Sequence, residues 1–194
     1  MTDSGSPGSR ALRLEILPPL AWLILDQADR GNPVNQQFAA EIVDAWAFLA
    51  EHHDVRAVGV RATGPSFSVG ILSEGDRPQL SIGPKACGNW RPVLVELAGD
   101  IAAGAFELLG QADAIVSAPD IHLTIPDDPK SRLDVQHLRP RIPEPELRRL
   151  ALLGAFGPMT AVRAAQLGLI DAVVPRQGLH RHAVDILNLM ASRG

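Results

Sequence analysis

The stretch that decides the fold runs from Pro92 to Asp127 and reads P-V-L-V-E-L-A-G-D-I-A-A-G-A-F-E-L-L-G-Q-A-D-A-I-V-S-A-P-D-I-H-L-T-I-P-D. A short apolar run, Val93 to Leu97, meets a cluster of small residues: Gly99, Ala102, Ala103, Gly104 and Ala105. A compact helical pattern follows, then two more strand-like runs, the second of which reaches Asp127 just after Pro126. Strand, tight turn and helix start make a place where a ligand can approach the backbone, because Gly and Ala leave amide groups uncovered. Glu107 falls on the first turns of the presumed helix. Glu107, Asp127 and the bare backbone from Ala103 to Ala105 are therefore the candidates for chemistry; close helix–strand packing is the structural alternative for the small residues.

Upstream, Leu12 to Leu17 and Leu20 to Leu25 read as two strands joined at Pro18-Pro19, an antiparallel pair at the start of a sheet. Asn35 is an N-cap candidate for a helix with Phe38, Ile42, Trp46 and Leu49 on one face, ending near His52 or His53. Val55 to Arg61 is the next strand, and strand–helix–strand in this order implies a right-handed crossover. After Gly64-Pro65, Ser66 to Val69 predicts a short strand ending at Gly70. Gly70 can turn the following amide, that of Ile71, towards a ligand; a plain turn with Ile71 and Leu72 entering the core is the competing reading. Ser73 to Arg91 reads as a loop, a mobile lid or a wall for an acyl chain, with Trp90 against the substrate or anchoring the loop.

Downstream, the charged segment from Asp128 to Glu146, punctuated by Pro129, Pro140, Pro143 and Pro145, predicts a surface insert. A helix from about Glu144 carries Leu147, Leu150 and Leu153. Another, from Pro158 or Thr160 to Gly168, carries Ala161, Ala164 and Ala165. Leu169 to Val174 is extended, and Leu179, Ala183, Ile186, Leu187 and Met190 form the face of a last helix.

The 194 residues and 20.7 kDa suit one domain with a sizeable core. A net charge of -4 and a pI of about 5.8, with no basic stripe, argue against nucleic acid as a partner. The single cysteine, Cys87, excludes an intrachain disulfide and reads as an inert thiol in a loop. Six histidines show no metal-site spacing, and no Walker or G-x-G-x-x-G pattern occurs. The polar opening M-T-D-S-G-S-P-G-S-R lacks the apolar core of a signal peptide, and no run approaches membrane-spanning length. The expectation is a disordered tail over residues 1–11, a single domain over 12–194, and a cytoplasmic protein with no membrane partner.

Taken in order, these motifs resemble the enoyl-CoA hydratase/isomerase, or crotonase, family. N-P-V-N at Asn32 to Asn35 is similar to the family's N-P-x-N turn, and Asp54 to Gly70 to its strand and F-S-x-G segment. Gly99 to Glu107 matches G-Y-A-x-G-G-G-x-E in length, Ala112 to Ala118 resembles C-D-x-x-x-A, and Ala164 to Pro175 resembles A-x-x-x-G-L-V-D-x-V. The resemblance implies an α/β fold, the crotonase-like (ClpP/crotonase) spiral of repeated β-β-α units. It implies a homotrimer or dimer of trimers, and a coenzyme A thioester as substrate with no further cofactor and no metal. The family's oxyanion-hole amides fall on Ile71 and Gly104, with Gly70, Leu72, Ala103, Ala105 and Trp90 about the pocket. Its two acidic residues fall on Glu107 and Asp127, 20 positions apart here as in the family (127 − 107 = 20).

Hydration of an unsaturated acyl-CoA needs one carboxylate to activate water for C3 and one acid to protonate C2. Isomerisation or decarboxylation on a single carboxylate, and a noncatalytic helper bound to a partner enzyme, are the alternatives. Four departures bear on the choice. Asp127 is one methylene shorter than the family's glutamate, with Asp128 beside it, and Ile71-Leu72 replaces Ala-Asp. Ala103 and Ala105 replace glycines, and the C-terminal helical region is shortened. Asp134 and His137 are outside candidates for the site.

Overall fold

The computed structural model describes residues 11–72, 75, 78–125, 134–153 and 157–193. Strands β1 (Leu12–Leu17) and β2 (Leu20–Leu25) pair antiparallel, with Leu17 opposite Leu20 across Pro18-Pro19. Every residue of β2 is buried, as its unbroken apolar run requires of an interior strand. Helix α1 (Gln36–Glu51) begins at Asn35, whose side chain accepts the Phe38 N–H at 2.9 Å. It buries Phe38, Ile42, Trp46 and Leu49, the expected face, and ends at His52, whose Nδ1 lies 2.8 Å from the Phe48 carbonyl.

The chain then alternates between two sheets. Strands β3 (Ala57–Ala62), β5 (Val93–Leu97), β7 (Ala114–Ser117) and β10 (Ala172–Val173) extend the first into a six-stranded sheet of order β1-β2-β3-β5-β7-β10, parallel from β2 onward. Strands β4 (Ser66–Ser68), β6 (Asp100–Ala102), β8 (His122–Thr124) and β9 (Met159–Thr160) form the second, of order β4-β6-β8-β9. Each crossing from the long sheet to the short one is followed by a return to the long sheet. In the central unit, β5 and β6 lead through a 3-10 turn (Ala103–Ala105) into helix α2 (Phe106–Gln111).

The expected surface insert is a correction. Its described part forms a 3-10 helix over Val135–Leu138 in which Val135 and Leu138 are buried, followed by buried Ile142. It packs so closely on α2 that a β-carbon at Gly110 would lie 1.7 Å from the His137 carbonyl oxygen. The apolar spacing 135, 138, 142 turns these residues inward, while Gln136, His137, Arg139 and Pro140 between them stay outside and Arg141 folds in to the Ala112 and Leu169 carbonyls. Helices α3 (Glu144–Leu153) and α4 (Ala161–Gln166) follow, the latter capped by Thr160, which accepts the Arg163 N–H at 3.2 Å.

Helix α5 (Arg176–Arg193) buries Leu179, Ala183, Leu187 and Ala191, while Ile186 and Met190 are partly buried. A polar tie joins it to the six-stranded sheet: His180 Nδ1 lies 2.7 Å from Glu96 Oε2, with Glu96 buried on β5 and the Trp22 ring 5.0 Å from the imidazole. Among the described residues no helix is long and apolar enough to cross a membrane, and no cluster of His, Cys, Asp and Glu is arranged to hold a metal ion.

Candidate functional site

The orientation of one peptide plane begins the site. Segment Gly31 to Val34 runs beside Val69 and Gly70: the Val69 N–H donates to the Gly31 carbonyl and the Val34 N–H to the Gly70 carbonyl, both at 2.8 Å. A trans peptide points its C=O and N–H in opposite directions. Because the Gly70 carbonyl is turned to Val34, the Ile71 N–H in the same plane is turned away from that segment. Gly70 reaches this geometry with φ of 75°, a left-handed conformation that favours glycine.

Gly104 lies close to this amide. A β-carbon at position 104 would sit 2.9 Å from the Ile71 nitrogen and 2.8 Å from its Cγ1, and one at Gly70 would sit 3.4 Å from the Gly104 nitrogen. A side chain at 104 would displace Ile71, whereas one at 70 would crowd the Ala102 methyl group at 3.0 Å. Gly104 is the second residue of its 3-10 turn, so its N–H precedes the first internal hydrogen bonds of the helix. Among the described residues, neither the Ile71 nor the Gly104 N–H has a backbone acceptor. The arrangement offers two neighbouring uncommitted donors.

Ala103 and Ala105 are fully buried, so their methyl groups go into the core and leave Gly104 between them facing Ile71. Leu72 follows as a largely exposed side chain. Thus Gly70, Ile71 and Gly104 come together, flanked by Ala103, Ala105 and Leu72. Trp90 is not brought to them. It is exposed at the start of β5, the end opposite the Gly99–Gly104 turn, with the buried Arg91 guanidinium 4.7 Å from its ring. Arg91 anchors that corner through the Val55 and His52 carbonyls, at 2.6 and 2.8 Å.

Glu107 stands in the first turn of α2, three residues beyond Gly104, and is held by partners that the sequence did not indicate. Its Oε1 accepts from the Ser81 hydroxyl and, at 3.2 Å, from Gln111 Nε2, while its Oε2 accepts the Ile82 N–H at 3.1 Å. A carboxylate has about four acceptor positions, so one remains, on Oε2. Gln111, one helical turn on, also receives the Lys85 and Ala86 N–H groups, at 2.9 and 3.3 Å. Ile82 is buried, and its carbonyl accepts from Trp46 Nε1 at 3.3 Å. Residues 81–86 are thus a wall fastened to α2 rather than a lid. For Gln111 the i+4 spacing from Glu107 is the signal that could have found it; the Ser81 contact, 26 residues away in the chain, had none.

Burial and the nearby Glu107 carboxylate push the Cys87 thiol above its usual pKa, in keeping with an inert cysteine. Asp127, the second expected carboxylate, and Asp128 lie outside the described residues. Asp134 is buried at the start of the 135–138 turn, and His137 is exposed with its backbone carbonyl against α2.

No family model matches the sequence. Among curated proteins, the chain is 25% identical over 176 residues to the (7aS)-7a-methyl-1,5-dioxo-2,3,5,6,7,7a-hexahydro-1H-indene-carboxyl-CoA hydrolase of Mycobacterium tuberculosis, covering 84% of this chain and 70% of that protein. It is 23% identical over 186 residues to a mevalonyl-coenzyme A hydratase of Aspergillus fumigatus, covering 87% and 68% of the two chains. Among solved structures, an enoyl-CoA hydratase/isomerase from Mycobacterium paratuberculosis superposes with a TM-score of 0.81 at 20% identity, covering 95% of this chain and 77% of the other. The chain has the crotonase fold, and the structures it resembles include members of the enoyl-CoA hydratase/isomerase family.

Proposed function

We propose that this crotonase-fold chain binds an acyl-CoA thioester and polarises its carbonyl between the Ile71 and Gly104 N–H groups, and that the reaction is hydration of a 2-enoyl-CoA or its reverse. The observation that supports the reading is the close approach of Gly104 to Ile71, two residues from separate sheet crossings whose amides have no backbone acceptor among the described residues. Charge accumulates on the thioester oxygen as an enolate forms. Donors already fixed around that oxygen stabilise the transition state, typically by about 3 to 4 kcal/mol each. The curated relatives, an indene-carboxyl-CoA hydrolase and a mevalonyl-coenzyme A hydratase, support a CoA thioester as the substrate class.

In this reading, the remaining acceptor position of Glu107 takes the proton from water as the oxygen adds to C3, and Asp127 supplies the proton to C2. Ser81, Ile82 and Gln111 hold the Glu107 carboxylate in place meanwhile. No cofactor beyond the CoA of the substrate enters the scheme. Assembly as a homotrimer, as the family resemblance implies, belongs to the same proposal and is tested by solution mass.

The test is turnover of a panel of 2-enoyl- and 3-enoyl-CoA thioesters by the native protein, Glu107→Gln and Asp127→Asn. Hydration abolished by both substitutions supports the pair. Isomerisation that survives Glu107→Gln assigns the chemistry to one carboxylate. A folded native protein that neither turns over nor binds any CoA thioester refutes the enzymatic reading.

A further inference from the structure

Gly70 is held on both sides. While its carbonyl accepts from Val34, its N–H donates to the Ser68 hydroxyl oxygen at 3.0 Å, and that hydroxyl donates in turn to the Asn32 carbonyl at 2.7 Å. Ser68 is 1% exposed, and its hydroxyl acts as donor and acceptor at once. Asn32, also buried, adopts φ of 54°, a left-handed conformation open to few side chains but accessible to asparagine. Its side chain fixes that conformation from three directions: Oδ1 accepts the Gln27 N–H at 2.8 Å, and Nδ2 donates to the Thr63 and Ser66 carbonyls at 2.9 Å each. The left-handed residue, the buried hydroxyl and the left-handed glycine therefore form one chain of contacts ending at the Gly70 N–H, in the peptide plane immediately before the one that carries the Ile71 N–H.

We infer that Ser68 and Asn32 are positioning residues for the Ile71 amide: they set the direction of a thioester-oxygen donor without touching the substrate. The inference rests on the proposed oxyanion role of Ile71 and Gly104. A buried Ser–Asn pair that served stability alone could tie any two strands together. Here the bonds close on Gly70 N and, through Asn32, on the turn whose neighbours Gly31 and Val34 hold Val69 and Gly70. Without the Ser68 hydroxyl the 69–70 peptide loses its hold, and Gly70 can change its backbone dihedrals and tilt the following 70–71 peptide about the one remaining contact, from its carbonyl to Val34. Misorientation of a reacting group by about 1 Å costs roughly 100-fold, and retention of the Val34 bond places the expected loss at about 10- to 100-fold in kcat.

The experiment compares native protein with Ser68→Ala, using amide spectra of ¹⁵N-labelled protein titrated with acetoacetyl-CoA, together with kcat and KM on the thioester turned over fastest. Expected for the native protein are shifts of the Ile71 and Gly104 cross-peaks on binding. Expected for Ser68→Ala, with cooperative melting retained, are loss of the Ile71 shift, the fall in kcat and a KM within about threefold of native, because the donor matters most in the transition state. If Ser68→Ala does not fold, Asn32→Asp takes its place. It keeps the Oδ1 acceptor and the carbonyl that receives Ser68 but lacks the Nδ2 donors, and the same pattern is expected. A folded variant with native kcat and a native Ile71 shift overturns the inference while leaving the proposed function standing. A native protein that binds acetoacetyl-CoA without moving either cross-peak overturns the oxyanion reading itself, and this inference with it.

Discussion

Replacing His180 by alanine should destabilise the protein through the carboxylate it leaves behind. Glu96 lies in β5, a central strand, and its side chain is 7% exposed, with His180 Nδ1 at 2.7 Å from Oε2. Truncation of His180 strands that oxygen beneath α5. Breaking a fully buried ion pair costs about 3 to 5 kcal/mol, and stranding a buried polar group about 1 to 3 kcal/mol. The imidazole is 52% exposed, so water enters part of the vacated space, and the lower range applies. The expected loss is about 2 kcal/mol, which for a chain of this size lowers the melting temperature by roughly 4 to 8 °C. Urea and thermal melts at pH 7 on native, His180→Ala, Glu96→Gln and the double variant separate the causes. If the stranded charge is responsible, Glu96→Gln should raise stability by about 1 kcal/mol in the His180→Ala background although it gives no gain in the native one. A double variant no more stable than His180→Ala would refute the reasoning and assign the loss to packing against Trp22.

Gly104→Ala places a methyl carbon 2.9 Å from the Ile71 nitrogen, and relief of that overlap displaces the donor; turnover should fall about 100-fold, measured as kcat on the thioester panel, with a smaller change in melting temperature. Arg141→Ala removes donors from the Leu169 and Ala112 carbonyls, at 3.1 and 2.8 Å, and from Asp171, at a junction linking α2, α4 and β10. The expected cost is about 2 to 3 kcal/mol by urea melt. The Asp120 carboxyl is held below its usual pKa, first by the hydrogen bond from Arg176, which also reaches the Ala98 carbonyl. A folded-state pKa below the unfolded one adds stability that is complete above the unfolded value, near pH 4, and is lost as pH falls through the folded value. The stability of Asp120→Asn should therefore fall less than native below pH 4 in melts across pH 2 to 6.

The strand–helix frame was legible because its signals are local. The alternation and turn at Pro18-Pro19, the Phe38–Leu49 face, and the small residues between β5 and α2 each dictate conformation within a few positions. The approach of Ile71 to Gly104 was accessible to sequence only through the family resemblance, since nothing in either segment specifies its partner. Side-chain partners drawn from distant loops were not legible. Ser81 and Ile82 at Glu107, and His180 at Glu96, are brought together by the packing of whole elements, 26 and 84 residues apart at their widest. The 134–142 segment was misread because its prolines and charges dominate composition, whereas burial follows the three apolar residues Val135, Leu138 and Ile142.

The departures from the family pattern divide according to which atoms they touch. Ala103 and Ala105 looked like a threat to the donor pair, but a backbone donor is altered only when a substituent moves the chain or covers the N–H. Both methyl groups are buried on the other side of the turn, and Gly104 keeps the one position where a β-carbon would collide with Ile71. Ile71 in place of alanine is tolerated for the same reason, since the direction of its N–H is set by Gly70 and its partners. Side-chain chemistry has no such insulation. Glu107 is held only as well as the 81–82 wall and Gln111 hold it, and any second carboxylate must arrive with its own reach. A crotonase chain can therefore keep the capacity to polarise a thioester carbonyl while its proton-transfer groups diverge. Binding with Ile71 and Gly104 shifts, measured separately from turnover, is the observation that distinguishes a divergent enzyme from a scaffold that has lost its ligand.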